Sequence, residues 1–461
     1  MISLSFLYFF LPVFMALYLL LPKSLKSRLL LLGGIGLVCW EEPSGIIPVS
    51  VCILSGYLFG IFIHNFRDRK ISSVLLALEV MLNAGVLLLF HRTAYDNSDL
   101  LSVLGQRSLV KSISAIGASV MPLHSISYCV DVYRKKYVCE HKFINVAEYI
   151  AFFPAFAAGP ILRYDKMKPM LEEPEITADK CASGIRLLVL GLFTKLFISN
   201  TMLELWNDVR DIPANTLPVI SAWIGMLAFA FFLYFELNAF STIACGLASM
   251  MGFTLPRNSR EPYKSHSFLA FCRKFNCSLY RWCMEYVFHS IKKQGKHGVS
   301  EFLAVIITVV VGSLWYSTSL HSLLFGAALI LMLGLEKILA VPLKKLYKPL
   351  RTMFFVLCLL IIMPFMAFNE PASALNYIGA MFGGNHVAVD MTSEYLISTY
   401  LILFVLCLLV SSGVFGYFFR KKVFNNEYIQ TIMQPVWVIA LLIFCTAFLV
   451  SGNNSLYTYM F

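Results

Sequence analysis

Runs of continuously apolar residues recur from one end of this chain to the other, each closed by a short cluster of basic or helix-breaking residues. A helix that crosses a bilayer needs about twenty apolar residues, with a usual range of about 17 to 25. On that measure the sequence predicts spans at 3–22, 26–40, 46–64, 71–90, 110–130, 183–200, 217–236, 301–317, 320–341, 351–368, 396–418 and 433–450. The second is short, and the fifth carries Lys111 and Ser112. Segments 147–162 and 237–253 are apolar too, but their polar flanks predict re-entrant segments or buried half-helices. A transmembrane β-barrel would show short alternating segments, which these runs are not. The expected fold is all-α and polytopic, with about 11–12 transmembrane helices plus re-entrant segments in one domain, 1–461.

Charge placement fixes an expected orientation. With the N-terminus outside, only Arg92, Arg107, Lys111 and Arg210 of the 37 basic residues fall outside, and Lys195 falls within a span. All the others lie in inner loops, as the positive-inside rule requires. Both termini are therefore expected on the extracytoplasmic side of a cell membrane. The opening segment has no basic n-region and no small-residue cleavage site, so it reads as a first membrane helix rather than a removable signal. Residues 254–300 form the longest polar stretch, basic but broken by apolar residues, and are expected to lie on or dip into the cytoplasmic face.

Composition agrees: 59% of the 461 residues are hydrophobic and 14% are charged, far from the balance of a soluble globule. The net charge of +11 is spent on topology, and no separate basic stripe interleaved with aromatics argues for nucleic acid. Of the twelve cysteines, only Cys272, Cys277 and Cys283 cluster, at gaps that do not match a zinc-ligand pair. No metal site is expected.

Polar groups inside apolar runs are costly unless they pair or line a cavity. Glu79 and Asn83 lie one turn apart on one helix face. Glu236 and Asn238 close the run FFLYFELNAF, and Lys195 in GLFTKLFISN could neutralise a carboxylate. The plainer role for such groups is to hold helices together; the sharper one is to line a passage. The stretch from Ser125 to Arg163 combines Asp131, Arg134 and Glu148 with a Gly159-Pro160 break that should bend the chain back to the side it entered from.

Four stretches, in order, resemble the membrane-bound O-acyltransferase superfamily, and within it the bacterial alginate O-acetylation branch. They are the opening FLYFFLPVFMALYLLLP…LLLLGGIGLVCWEEP; SISYCVDVYRKK with FFPAFAAGPILRY; FELNAFSTIACGLASMMGF; and FNEPASALNYIGAMFGG. The second is very close to the family's Ser-Tyr-x-x-Asp-Val-Tyr-Arg and Phe-Phe-Pro-x-x-x-x-Gly-Pro-Ile-x-Arg pattern. The resemblance implies acyl transfer from a thioester or carrier to a hydroxyl reached through a tunnel across the protein, with an interior histidine as base. It implies no permanently bound cofactor; an acyl-CoA or acyl carrier would be the donor substrate. A polysaccharide hydroxyl outside the cell would be the acceptor, and a separate exported acetyltransferase a partner.

Two positions depart from that pattern. Tyr316 stands where the Gly-Leu-Trp-His-Gly-Ala motif has histidine, and Asn276 where Phe-Trp-Arg-Arg-Trp-His has it. An unperturbed phenol has a pKa of about 10, so at neutral pH it donates more readily than it accepts a proton. His321 is the nearby replacement base. Five helical residues would turn it about 140° from Tyr316, so both reach one cavity only if the helix breaks at Ser317-Thr318-Ser319. The plainer reading of His321 is a polar residue at a helix end. The candidate catalytic residues are thus Tyr316, His321 and Asn276, with Trp315, Glu236, Asn238 and His124 as candidate tunnel residues. The alternative is a catalytically degenerate chain that keeps the fold and serves as a scaffold or substrate conduit.

Overall fold

The computed structural model describes residues 2–41, 43–95, 120–156, 159–292, 298–317, 319–384, 386–414 and 433–451. Among them every regular element is a helix. Eight described helices are long and apolar enough to cross a membrane, and Phe6–Leu20, Phe143–Ala155 and Gln434–Val450 are shorter apolar helices. The span expected at 110–130 survives as Met121–Tyr133, its first ten residues lying outside the described part.

The first half is a bundle of α1 (Leu11–Leu20), α2 (Lys23–Glu41), α3 (Ile46–Asn65), α4 (Ile71–Tyr95) and α5 (Met121–Tyr133). Helix α5 packs against both α3 and α4, and nearly all its residues are buried. Next come α6 (Phe143–Ile150) and α7 (Tyr164–Glu172). Between them the chain folds back as the Gly-Pro break predicts: the Tyr149 hydroxyl donates to the Leu162 carbonyl at 2.8 Å.

The α5–α6 loop is fastened on the polar side by Glu140, which accepts from Tyr164 Oη and Lys168 Nζ, each at 2.9 Å. Burial opposes ionisation of Glu140, yet Lys168, the Lys142 backbone N–H and Tyr164 together pull its carboxyl from an ordinary 4.5 down to about 2. A depressed carboxyl stabilises the fold above its unfolded pKa and loses that contribution as pH falls through the folded value. The thermal midpoint should therefore drop on acidification from about pH 4 to pH 2. Lys168→Met should flatten that drop in a detergent-solubilised thermal scan.

The second half is built on α8 (Ala178–Phe193), which passes through a π-helical turn at Thr194–Ser199 into α9 (Asn200–Arg210), and on α10 (Val219–Met250). In lipid, helices associate by close packing rather than by hydrophobic burial, so small residues mark the tightest contacts. A Cβ at Gly246 would lie 2.6 Å from the Leu188 nitrogen, and one at Gly184 2.6 Å from the Gly246 oxygen. No side chain fits there.

Helix α10 corrects one expectation. Segment 237–253 is not a separate re-entrant piece, because the helix runs unbroken through Glu236 and Asn238 to Met250. The polar signal that predicted a break is satisfied internally: Lys195 neutralises Glu236, and the Thr242 hydroxyl returns to the Asn238 carbonyl at 2.6 Å.

Residues 254–291 pack against the first half of the bundle. Helices α11 (Phe268–Phe275) and α12 (Cys277–Trp282) form a hairpin whose return limb continues through a π-helical turn at Cys283–Phe288. That limb lies along α5: Trp282 Nε1 donates to the Leu123 carbonyl at 3.1 Å, and Tyr286 Oη to Asp131 Oδ2 at 2.7 Å. Lys136 and Arg134 pair with Glu285 at its far end. The basic stretch thus packs along the bundle as a helical hairpin. Helices α13 (Val299–Tyr316) and α14 (Leu320–Ile338) follow, with α13 packed along the return limb.

Candidate active site

Two interruptions of the chain meet at one place. The first is Asn276, between α11 and α12, with φ −133° and ψ 88°. Asparagine is a strong N-cap because its side-chain oxygen satisfies backbone donors that a helix start leaves open. Here Asn276 Oδ1 accepts from the Leu279 nitrogen at 3.1 Å and from Ser278 Oγ at 3.4 Å. Asn258 braces the same apex: its carbonyl accepts from the Cys277 nitrogen at 2.6 Å and its Oδ1 from the Ser278 nitrogen at 2.8 Å.

The second interruption is the end of α13. After Tyr316 the chain turns extended at Ser317, with φ −164° and ψ 146°, and α14 begins at Leu320 behind Ser319. The Ser319 nitrogen donates to Ser317 Oγ at 3.2 Å, and Ser322 Oγ donates to the Ser313 carbonyl at 2.6 Å. Hydroxyls that bond nearby backbone compete with helix and stabilise such turns. The break on which His321 depended is therefore present, although Thr318 itself lies outside the described residues. His321 is buried in the first turn of α14.

Asn276 and Tyr316 are hydrogen-bond partners through their side chains. With Asn276 Oδ1 capping α12, its amide N–H groups are the ones that face the phenol. Trp315 and Tyr316 rings meet edge to face at 5.0 Å, and Phe275 and Tyr316 ring centroids lie 6.4 Å apart. Trp315 is buried among Leu123, Ile126, Leu279, Trp282 and Cys283. Tyr316 is half-buried and touches both this cluster and the larger one around α10. Asn276, Trp315 and Tyr316 are brought together, and His321 enters five residues later across the break.

The other candidates lie in different settings. His124 is buried in α5, where its Nε2 accepts from the Leu162 nitrogen at 3.3 Å and its ring stacks on Tyr149 at 4.8 Å. It thereby satisfies a backbone group freed by the Gly-Pro bend. Both Glu236 oxygens lie 2.7 Å from Lys195 Nζ, and Ser199 Oγ donates to Oε2 at 2.5 Å. Asn238, two residues further along the same helix, is half-buried. Among the described residues no group of three His, Cys, Asp or Glu side chains could hold a metal ion.

Sequence reasoning singled out Asp131 and Arg134 but not their partners Tyr286, Glu285 and Ser290. The signal available was a carboxylate inside an apolar run, which demands a partner without saying where it lies. Chemically, an amide N–H and a phenol O–H are donors suited to a carbonyl oxygen that gains charge. His321, five residues along the chain from Tyr316, carries an imidazole, the side chain most often used as a general base.

The chain is similar to several known membrane proteins. Over 342 residues the chain is 29% identical to the probable alginate O-acetylase AlgI of Pseudomonas aeruginosa, a match covering 73% of this chain and 65% of that protein. The AlgI of Pseudomonas fluorescens is 28% identical over 380 residues, 82% of this chain and 74% of the relative. The peptidoglycan O-acetyltransferase of Helicobacter pylori is 23% identical over 358 residues, covering 70% and 67%. The first of these relatives is thus matched over slightly less than two thirds of its own length. Residues 119–380, more than half of the chain and the part that contains Asn276, Trp315, Tyr316 and His321, match the MBOAT, membrane-bound O-acyltransferase family, and the chain belongs to that family.

Proposed function

We propose that this protein transfers an acyl group, most simply acetyl, to a hydroxyl of an exported or cell-surface polysaccharide. The observation that carries the reading is the meeting of Asn276 with Tyr316 at a chain break that is followed at once by buried His321. The relatives named alginate O-acetylase and peptidoglycan O-acetyltransferase support a polymeric acceptor.

In this reading the alcohol approaches His321, which takes its proton as the oxygen attacks the acyl carbonyl. The carbonyl oxygen gains charge and is met by the Tyr316 O–H and the Asn276 amide. The tetrahedral adduct then collapses, the thiolate of the donor leaves, and the proton held by His321 passes to it. Trp315 forms the wall beside the reacting groups, while His124, Glu236 and Asn238 belong to the walls of the passage. The donor, a coenzyme A thioester or an acyl carrier, is loaded from the cytoplasmic side, where basic loops attract an anion. The whole chain acts as one transmembrane domain with both termini outside. A C-terminal reporter active only in the cytoplasm should stay silent.

The test is membrane vesicles holding the full chain, given a radiolabelled acetyl thioester and polysaccharide. Label should appear in ester linkage on the glycan. A second reading, a scaffold or conduit without chemistry, draws on Tyr316 and Asn276 standing in place of the family's histidines. It predicts that donor or glycan binds with no label transferred.

A further inference from the structure

The first half of the bundle holds a carboxyl that the proposed reaction does not use. Glu79 on α4 and Asn83, one turn later, are both 0% exposed. Three donors converge on a single Glu79 oxygen, Oε1: Ser125 Oγ at 2.5 Å, Asn83 Nδ2 at 2.6 Å and Ser55 Oγ at 3.4 Å. Ser55 is on α3 and Ser125 on α5, so the carboxyl ties three helices together. The Ser125 hydroxyl also lies 3.2 Å from the Cys52 carbonyl, and Asn83 Nδ2 lies 3.1 Å from Ser55 Oγ. Among the described residues two atoms of this cluster have no hydrogen-bond partner, Glu79 Oε2 and Asn83 Oδ1. Both are acceptors.

An ionised carboxylate inside an apolar bundle is costly unless a cation answers it. No lysine, arginine or histidine pairs with Glu79 among the described residues. The titratable groups that face it are the thiols of Cys52 from α3 and Cys129 from α5, neither of which brings positive charge. What the cluster lacks is one donor between two idle acceptors.

We propose that Glu79 is a proton-binding site: its Oε2 carries a hydrogen that donates to Asn83 Oδ1, so that acid and amide exchange two hydrogen bonds. One proton then removes the buried charge and satisfies both orphaned oxygens, each of which would otherwise carry a desolvation penalty. The neutral acid clasps α3, α4 and α5. Helix α5 in turn holds the helical hairpin through Leu123 to Trp282 and Asp131 to Tyr286, which makes Glu79 a positioning residue for the apex at Asn276.

The inference is independent of the acyl-transfer reading, and its test needs no activity assay. Infrared difference spectra of the purified full chain, wild type minus Glu79→Gln, should contain the carbonyl stretch of a protonated carboxyl at neutral pH. Glutamine offers the same acceptor and an N–H in place of the O–H, so E79Q should fold with an unchanged thermal midpoint. Glu79→Ala should lower the midpoint by several degrees. Because a group protonated in the fold stabilises it at low pH and loses that effect as pH rises, the wild-type midpoint should fall at alkaline pH while that of E79Q stays flat. A carboxylate stretch from Glu79 at neutral pH overturns the proposal. So does failure of E79Q to fold, or a wild-type midpoint that rises with sodium or potassium while that of E79Q does not, since either assigns the site to an anion or to a bound metal cation.

Discussion

Replacing His321 with alanine should lower the turnover of acyl transfer by about 10²–10⁴, the usual cost of losing a general base. The expectation rests on three features of the turn that joins α13 to α14. Helix α13 ends at Tyr316, so His321 is not bound to the 140° displacement of a continuous helix. The Ser317 and Ser319 hydroxyls hold the turn in place of helical hydrogen bonds, their oxygens 2.9 Å apart. His321 is buried rather than exposed as a surface helix end would be. The KM for the donor should change little, because an effect confined to proton removal falls on turnover. Tyr316→Phe should cost about 10²–10³ by removing one donor to the carbonyl oxygen. The decisive variant restores the family's residue: His321→Ala with Tyr316→His should recover much of the lost rate if both positions open on one cavity. Unchanged turnover in H321A would exclude His321 as the base, whereas binding without any transfer in the wild type would leave the conduit reading standing.

Much of the architecture was legible because the bilayer limits what a chain can do. Apolar runs at 46–64, 301–317 and 320–341 became Ile46–Asn65, Val299–Tyr316 and Leu320–Ile338 within three residues at either end, since length and hydropathy decide where a span begins and ends. The Gly159-Pro160 bend was legible for a similar reason, because the backbone groups it frees must be met, and Leu162 is met by His124 and Tyr149. Pairing was harder to foresee. Lys195 announced that a carboxylate was near, and Glu236 answers it from 41 positions away. Asp131 is answered locally by Lys136 at 3.2 Å, but its second partner, Tyr286, lies 155 positions along, and no local pattern points to it. The same polarity misled at 237–253, where Glu236 and Asn238 looked like the edge of a broken helix. A neutralised charge leaves a helix intact, and neutralisation is invisible until both partners are placed. For the candidate site the sequence named the residues but not their meeting. Asn276 sat in a stretch expected to lie on or dip into the cytoplasmic face, and the hairpin of α11 and α12 carries it to Tyr316.

The largest effect on stability is expected at the Lys195–Glu236 pair. Glu236→Ala should destabilise the protein by about 3–5 kcal/mol, the range for stranding one member of a buried ion pair. The reason is geometric. Lys195 Nζ lies 2.7 Å from each Glu236 oxygen, both side chains are almost fully buried, and Ser199 adds a third bond to the carboxylate. Removing the carboxylate leaves the buried ammonium facing the Phe240 ring. The pair sits where α8 passes through its π-helical turn against α10, so the loss falls on the tightest helix contact in the second half. Replacing both residues at once separates packing from function. A Lys195→Met, Glu236→Leu double variant removes both charges and keeps volume, and buried pairs replaced in this way often cost nothing. Its thermal midpoint should return close to wild type, well above that of E236A. If Glu236 also forms part of the wall of the acyl passage, the double variant will fold and still transfer label more slowly. If the pair only holds α8 to α10, transfer will recover together with stability.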